Sequence, residues 1–387
     1  MENVLLVFGG MSYEHDISVV TASQIYSKTQ LDNIKLIPFY ISRDNKYYIY
    51  KSSEFNILDF SISNFSSNKR KFKEVAFVSN ENNIIFAKTK FGLREYLKTE
   101  LAIFACHGSS GENGTLEAIF ENVGIFSTAG NFDSLAICMN KYIFKQFMYG
   151  IKIPTVSGFK ITKTEYENKK DLIESKVIKF NFPLILKPNN GGSSIGLFIA
   201  RNLEDFNKMI LDVFEFDNEV LVEKYISNSR EFNVAVLGDY DEYLVSDIDE
   251  PLKENEVLTF TDKYCSNFGV KNSKIDKSLK HSMANNFRNF PASISDGLSK
   301  RIYKLTKKIF TKLNLRGVVR IDYLYDEIND KIYVCEVNSI PGSLAFYFFN
   351  NNKLLLNDFV LKLINIAKKY KTNKFIVNKD YFTEILK

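Results

Sequence analysis

Two short stretches near the end of the chain, Arg320-Ile321-Asp322 and Glu336-Val337-Asn338, carry its strongest structural signal. Each lies in an apolar run typical of a β-strand, and alternate residues of a strand share a face, so each polar pair points to one side. The polar segment between them, residues 326–331, predicts a turn and therefore a hairpin that brings the pairs together. Carboxylate and amide oxygens suit Mg²⁺, which also binds water and substrate phosphates. The pattern predicts a magnesium-phosphate site, and its alternative is a solvated strand face.

Length and composition set the class of protein. The chain has 387 residues, of which 45% are hydrophobic and 25% charged, as expected for two or three globular domains. The net charge of +5 is spread without a long basic run, which argues against nucleic-acid binding. The N-terminus leads straight into a strand-like run at residues 4–8, with neither a signal-peptide pattern nor a membrane-length apolar run nearby, so we expect a cytoplasmic protein that does not enter the membrane. The four cysteines form no CxxC pair and indicate neither zinc nor disulfides.

Hydrophobic periodicity predicts alternating strands and helices, an α/β (α+β) pattern. Residues 45–98 are irregular and predict hairpins or loops inserted into the first domain. Strands are predicted at residues 2–8, 36–41, 101–105, 182–187, 195–200 and 220–223. Helices are predicted at residues 17–28, 133–149, 295–313 and 354–370.

Residues 184–196, Leu-Ile-Leu-Lys-Pro-Asn-Asn-Gly-Gly-Ser-Ser-Ile-Gly, predict a strand, a small-residue loop and a second strand. Such a loop lets backbone N–H groups approach phosphate oxygens, and Lys187 adds a positive charge. It is neither a Walker A loop nor a GxGxxG fingerprint. The alternative interpretation is a flexible hairpin turn.

A second stretch, Val220-Leu221-Val222-Glu223-Lys224-Tyr225-Ile226, runs from apolar residues into charge. In a nucleotide site Glu223 would accept from adenine or ribose, while the backbone from Lys224 to Ile226 would read the base edge. A domain linker with a solvated charge pair explains the stretch equally well.

Two residues of the first domain follow predicted strands, where open α/β sheets bind ligands. Glu14 is expected either to hold a substrate ammonium group or only to favour the dipole of the helix that follows it. His107 follows the strand that ends at Ala105, beside Gly108, and is either a site residue or a histidine bonded to its own loop.

Taken in order, the motifs GGMSYEHD, HGSSGENGTLEAIF, MNK, LILKPNNGGSSIG, VLVEKY, REF, DKY, RGVVRIDY and EVNSIPG resemble those of D-alanine-D-alanine ligases, members of the ATP-grasp superfamily. The resemblance spans residues 4 to about 345. It implies a three-domain ATP-grasp fold with an N-terminal Rossmann-like α/β domain. The implied domains are 1–129 for the N-terminal substrate domain, 130–226 for the central ATP-grasp subdomain and 227–387 for the C-terminal magnesium-binding domain.

The resemblance also implies roles for individual residues. ATP binding falls to Lys141 and Lys187 on the phosphates, Ser193 and Ser194 in the glycine loop, Glu223, Lys224 and Ile226 around adenosine, Glu231 on a ribose hydroxyl, and Lys263 beside Tyr264 in a closing loop. The ligands of two Mg²⁺ ions, replaceable by Mn²⁺, are Asp322, Glu336 and Asn338, with Glu336 bridging. The first D-alanine is held by Glu14 at its ammonium group and by His107 beside its carboxylate.

The implied reaction has two steps. A carboxylate attacks the γ-phosphate of ATP to give an acyl phosphate, and a second amine then attacks the acyl carbon. Arg320 and the backbone N–H of Gly342 would stabilise the oxyanion. The catalytic residues expected are thus Glu14, Ser193, Tyr264, Arg320 and Gly342.

One departure from the family pattern concerns the second substrate. By counting from Pro341, Tyr347 falls where the family has a serine that binds the second substrate's carboxylate. Asn113 and Asn140 also replace acids usual in the family. The resemblance nevertheless implies a homodimeric ligase that makes D-alanyl-D-alanine for peptidoglycan. The alternatives are a ligase with another second amino acid or hydroxy acid, and a nucleotide-binding regulatory protein without turnover.

Overall fold

The computed structural model describes residues 1–78, 84–252 and 288–373. Within these ranges the chain forms three β-sheets of eight, four and five strands, with helices packed against them. The predicted mixed α/β class is confirmed.

The first sheet has the spatial order β6-β5-β4-β3-β2-β1-β7-β8. Strands β2, β1, β7 and β8 are mutually parallel, whereas β2 to β6 pair antiparallel. Strands β3 to β6 lie in the range 45–98, where hairpins or loops were predicted. Residues 4–8 on β1 are fully buried, as expected of a parallel strand covered on both faces. The strands are β1 (Glu2–Gly9), β2 (Ile34–Ile41), β3 (Tyr47–Tyr50), β4 (Phe72–Phe77), β5 (Ile84–Thr89), β6 (Gly92–Lys98), β7 (Leu101–Phe104) and β8 (Phe126–Ser127). The helices are α1 (His15–Lys28), α2 (Ile62–Ser67), α3 (Ser109–Glu112) and α4 (Thr115–Asn122), with 3₁₀ turns at Ile57–Phe60 and Lys69–Lys71.

The second sheet is antiparallel, in the order β11-β10-β12-β9. Strands β10 and β11 flank the small-residue loop as a hairpin, as predicted. The elements are α5 (Phe132–Met139), α6 (Lys141–Gly150), β9 (Gly158–Thr162), α7 (Lys163–Asn168), α8 (Lys170–Phe180), β10 (Leu184–Pro188), β11 (Phe198–Ala200), α9 (Leu203–Phe214) and β12 (Glu219–Lys224).

The third sheet is also antiparallel, in the order β15-β14-β13-β16-β17. Its elements are β13 (Ser229–Gly238), β14 (Tyr243–Pro251), β15 (Arg288–Asn289), α10 (Asp296–Lys312), β16 (Gly317–Asp326) and β17 (Lys331–Asn338), followed by a 3₁₀ helix (Gly342–Phe349) and α11 (Leu356–Asn373).

Two predicted elements differ from the structure. The single helix predicted at 133–149 is wrong, because Asn140 is extended and its side chain caps a new helix by accepting from the N–H of Ile143 at 2.9 Å. The strand predicted at 195–200 begins only at Phe198, because Ser193 and Ser194 adopt left-handed backbone conformations in the preceding turn.

Three hydrophobic cores support the sheets. The core of the first sheet extends to residues 344–349 and to the buried face of α11, so the end of the chain packs on its beginning. The second sheet has a core of its own with α8 and α9, and the third packs on α10. The domain boundaries at 129 and 226 stay predictions. Within the described ranges, no helix is both long and apolar enough to cross a membrane.

Candidate active site

The predicted hairpin is confirmed in β16 and β17. Arg320 lies opposite Asn338, and Asp322 lies opposite Glu336. Arg320 donates from Nε and Nη2 to the two oxygens of Asp322, each at 2.7 Å, and Asn338 Nδ2 donates to Asp322 Oδ2 at 2.9 Å. The two-residue spacing in each strand thus brings one cation, two carboxylates and an amide onto one face.

The donor set of this face fits Mg²⁺. Asp322 and Glu336 are cross-strand partners, and side chains so placed have Cβ atoms about 5 Å apart, within reach of a common ion. Two carboxylates and an amide leave coordination positions for water and phosphate, as Mg²⁺ prefers. In the part of the chain that the structure describes, no group of three or more His, Cys, Asp or Glu side chains forms a metal cluster. A metal bound here would therefore depend on non-protein ligands as well.

A cleft of about 1080 Å³, open to solvent, lies between the second and third sheets. Both sheets contribute predicted site residues to its walls. Those residues are Lys141, Lys187, Ser194, Glu223, Lys224, Ile226, Glu231, Asp322 and Glu336. Residues predicted from motifs about 200 positions apart thus share one cavity.

Lys141, Lys145 and Lys187 place positive charge beside Glu223 and the glycine loop. Lys187 Nζ lies 2.5 Å from Glu223 Oε2, and Lys145 donates to the other oxygen of Glu223. Burial raises the pKa of Glu223, but the two lysines outweigh it and hold that pKa at about 2, so the carboxylate is ionised. Lys141 is buried, which lowers its pKa, and donates to the carbonyl of Gly191. Glu223 therefore accepts from lysines here, whereas its contact with adenosine stays a prediction.

Part of the backbone around the end of β12 is hydrogen-bonded within the protein. The N–H of Lys224 donates to the Ser157 carbonyl at 3.0 Å, and that of Tyr225 donates to the Pro183 carbonyl at 3.2 Å. The Lys224 ammonium group bonds to the carbonyls of residues 180 and 181. The N–H groups of Lys224 and Tyr225 are therefore engaged within the protein, and the predicted contact of this segment with the base edge stays a prediction.

Glu14 lies where the glycine loop meets the first domain. Its backbone N–H donates to Ser12 Oγ at 3.0 Å, and its carboxylate accepts from Ser193 Oγ. Gly108 and Gly192 lie directly against the carboxylate. The loop is therefore held closed over Glu14 by a side-chain hydrogen bond.

His107 links the first domain to the segment after β17. Its Nδ1 lies 2.8 Å from the carbonyl oxygen of Ile340 and must donate to it, so neutral Nε2 accepts from Thr21 Oγ1, also at 2.8 Å. Thr21 Oγ1 in turn accepts from the N–H of Ser343 at 3.2 Å. Burial lowers the pKa of His107, which favours this neutral form. Both ring nitrogens are engaged, so a role beside a substrate carboxylate stays a prediction.

Tyr347 is buried in the 3₁₀ helix that begins at Gly342. The guanidinium carbon of Arg288 lies 5.0 Å from the centre of its ring. Lys263 and Tyr264, predicted in the closing loop, lie outside the described residues.

Comparison with known proteins identifies the family of this chain. The family models described as "D-ala D-ala ligase N-terminus" and "D-ala D-ala ligase C-terminus" match residues 3–128 and 147–353. The chain belongs to the D-alanine-D-alanine ligase family. A D-alanine-D-alanine ligase of Thermosipho melanesiensis is 33% identical over 387 residues, which cover 100% of this chain and 99% of the relative.

Solved structures of this ligase family share the fold. The VanG D-Ala:D-Ser ligase of Enterococcus faecalis has a TM-score of 0.76 and 26% identity, covering 95% of this chain and 99% of that one. The D-alanine-D-alanine ligase of Helicobacter pylori has a TM-score of 0.70 and 25% identity, covering 95% and 98%. The ATP-grasp fold inferred from the motifs is confirmed.

Two residues of the candidate site were missed by sequence reasoning. Glu112 accepts from the N–H groups of Gly108 at 3.1 Å and Ile340 at 3.3 Å, and burial together with nearby Glu14 raises its pKa to about 8. It stands five residues after His107 in the same glycine-rich motif, which was the available signal. Lys145 offered no signal beyond its place on an amphipathic helix, because its partner Glu223 is 78 residues away.

Proposed function

We propose that this protein joins two D-alanine molecules into D-alanyl-D-alanine, converting ATP to ADP and phosphate. The observation that carries the proposal is the cleft in which Lys141 and Lys187 on one wall face Asp322 and Glu336 on the other. Membership of the ligase family supports the same reaction. We further propose that the enzyme works as a cytoplasmic homodimer and that its product serves peptidoglycan synthesis.

In the proposed first step, the carboxylate of one D-alanine attacks the γ-phosphorus, ADP leaves and an acyl phosphate forms. Lys141 and Lys187 neutralise phosphate charge, and Glu14 accepts hydrogen bonds from the substrate's ammonium group. Ser193, hydrogen-bonded to Glu14, keeps that carboxylate in place. Asp322, Glu336 and Asn338 would hold two Mg²⁺ ions, which supply further charge neutralisation when bound.

In the proposed second step, the amine of the other D-alanine attacks the acyl carbon, and phosphate leaves as the amide bond forms. The carbonyl oxygen gains negative charge in the transition state. Arg320 and the N–H of Gly342 are the proposed donors to it, and loss of one such donor commonly costs about 10²–10³ in rate. The two hydrogen bonds from Arg320 to Asp322 fix the orientation of the guanidinium group before the substrates bind.

Phosphate release from ATP and Mg²⁺, with and without D-alanine, tests the proposal. We expect release that requires D-alanine and a product with the mass of the dipeptide. Binding of ATP without release in the presence of any amino-acid pair would instead support a regulatory protein.

Tyr347 favours a second candidate, a ligase whose second substrate differs from D-alanine. A buried phenol at the place of a serine changes the pocket, and a structural relative of this chain is named as a D-Ala:D-Ser ligase. Competition among D-alanine, D-serine and D-lactate as acceptors, read by product mass, separates the two candidates. The same panel with Tyr347→Ser would show whether Tyr347 sets the preference.

A further inference from the structure

An ion pair beside the candidate active site, between a buried carboxylate and a partly buried arginine, has polar atoms without hydrogen bonds. Arg288 Nη1 lies 3.6 Å from Asp249 Oδ2, and the side chain of Asp249 is 1% exposed. Neither oxygen of Asp249, and neither Nε nor Nη1 of Arg288, has a hydrogen bond of good geometry to any described residue. Such unsatisfied groups are costly to bury, so each calls for an explanation, and a ligand that completes the bonding is one.

The pair lies on the same face of the third sheet as the proposed metal ligands. Asp249, Asn233, Asp322 and Glu336 occupy successive register positions across four neighbouring strands. Asn233 can donate to Asp322 Oδ1 at 3.1 Å and so separates Asp249 from the metal ligand. Arg320 is close enough to act electrostatically on both members of the pair.

The opposite side of Arg288 faces the 3₁₀ helix that starts at Gly342. Its guanidinium group packs over the ring of Tyr347, five residues further along that helix. Arg288 thus lies between the strand carrying Asp249 and the helix carrying the proposed oxyanion donor. Neither Arg288 nor Tyr347 lines the cleft proposed for ATP.

We propose that Arg288 binds the α-carboxylate of the second substrate and that Asp249 positions its guanidinium group. This assignment rests on the proposed function, in which an amino acid must present its amine near Arg320 and Gly342. Its carboxylate then lies a few ångströms from the attacking nitrogen. An arginine fork binds a carboxylate with two parallel hydrogen bonds, whereas the hydroxyl of Tyr347 can donate only one. Arg288 is thereby a specificity residue, since it selects acceptors that carry a carboxylate.

An internal competition between D-alanine and D-alaninamide tests the assignment. Both amines compete for the acyl phosphate of D-alanine, and the masses of the dipeptide and the dipeptide amide report the ratio of their kcat/KM values. This ratio does not depend on how much enzyme is folded. We expect the wild-type protein to prefer D-alanine strongly, Arg288→Met to lower that preference about 10- to 100-fold, and Arg288→Lys to lower it less.

Arg230→Met is the matched control. Arg230 donates from Nε and Nη2 to Glu250 at 2.6 and 2.9 Å, so it forms an ion pair with the neighbour of Asp249 on the other face of β14. Its removal should leave the product ratio unchanged.

The outcomes are distinct. A wild-type ratio in Arg288→Met, or an equal fall in Arg230→Met, would overturn the assignment while leaving the ligase activity established. If Arg288→Met makes neither product, the ratio for Arg288→Lys decides in the same way. Absence of both products from the wild-type protein would refute the proposed function and this assignment with it.

Discussion

Adding one methyl group at Gly108 should weaken the binding of the first D-alanine through Glu14. Gly108 has φ of 67° and ψ of 180°, and a Cβ atom there would lie 2.6 Å from Glu14 Oε2 and 2.5 Å from Ser12 Oγ. Both distances are well inside van der Waals contact. Gly108→Ala must therefore displace the carboxylate proposed to hold the substrate's ammonium group.

The size of the effect follows from what Glu14 would lose. A hydrogen bond to a charged group contributes about 1.5–3 kcal/mol, so losing one raises the KM of the first D-alanine about 10- to 100-fold. The KM of ATP should not change. The unfavourable backbone conformation would add a stability cost of about 1–3 kcal/mol.

Two other glycines separate the collision from the backbone strain. Gly10 also has positive φ, at +98°, but a Cβ there meets nothing within 4 Å, so Gly10→Ala should lower stability and leave the KM of D-alanine unchanged. A Cβ at Gly192 would lie 3.0 Å from Glu14 Oε2, so Gly192→Ala should raise this KM only a few-fold.

Initial rates of phosphate release over a range of D-alanine concentrations, fitted for two D-alanine sites, measure the effect, and thermal unfolding measures the strain. The KM of the first D-alanine should be highest in Gly108→Ala, lower in Gly192→Ala and lowest in Gly10→Ala. An unchanged KM in Gly108→Ala, or an equal rise in Gly10→Ala, would refute the reasoning.

Further predictions concern the metal ligands, Glu112 and a buried ion pair. Asp322→Asn and Glu336→Gln should each lower turnover at least about 10²-fold in phosphate release at saturating substrates, and near-normal rates in both would contradict the assignment. Because the pKa of Glu112 is raised to about 8, its contribution to stability is complete below about pH 4.5 and is lost as the pH rises to about 8. The Tm of Glu112→Gln should therefore rise relative to the wild-type Tm between pH 5 and 8. A difference in Tm that does not change with pH would contradict the raised pKa. Arg316 donates to Glu117 at 2.6 Å in a fully buried pair, so Arg316→Met should destabilise by about 3–5 kcal/mol, and adding Glu117→Leu should restore most of the lost Tm; failure of that rescue would show that the pair is not the cause.

The parts of the site that follow from local periodicity were predictable from the sequence. The spacing of Arg320 and Asp322 gives their common face, because a strand alternates its side chains wherever it lies. The turn-forming residues 326–331 predicted the hairpin, because a turn is also encoded by neighbouring residues. The first domain's alternation of strands and helices was also readable, and element ends moved by only a few residues.

The parts that depend on sheet register and packing were not predictable. Arg288 meets Asp249 only because β15 pairs with the end of β14, and neither residue belongs to a recognisable motif. Lys145 and Glu223 come from a helix and a strand far apart in the chain. The break at Asn140 was missed because the apolar pattern continues through it, although the Asn140 side chain caps the helix that begins at Lys141.

The sharing of one hydrophobic core by the two ends of the chain limits how the molecule can move. Residues 344–349 and α11 are buried against the first sheet, and Thr21 and His107 bond to the segment that leads into them. Swinging the first and third sheets apart would expose this core to water. The second sheet, whose core is separate, touches Glu14 through the side chain of Ser193. We therefore expect the protein to behave mechanically as two bodies, with nucleotide entering as the second sheet rotates away and the hydrogen bond from Ser193 to Glu14 breaking as it does so.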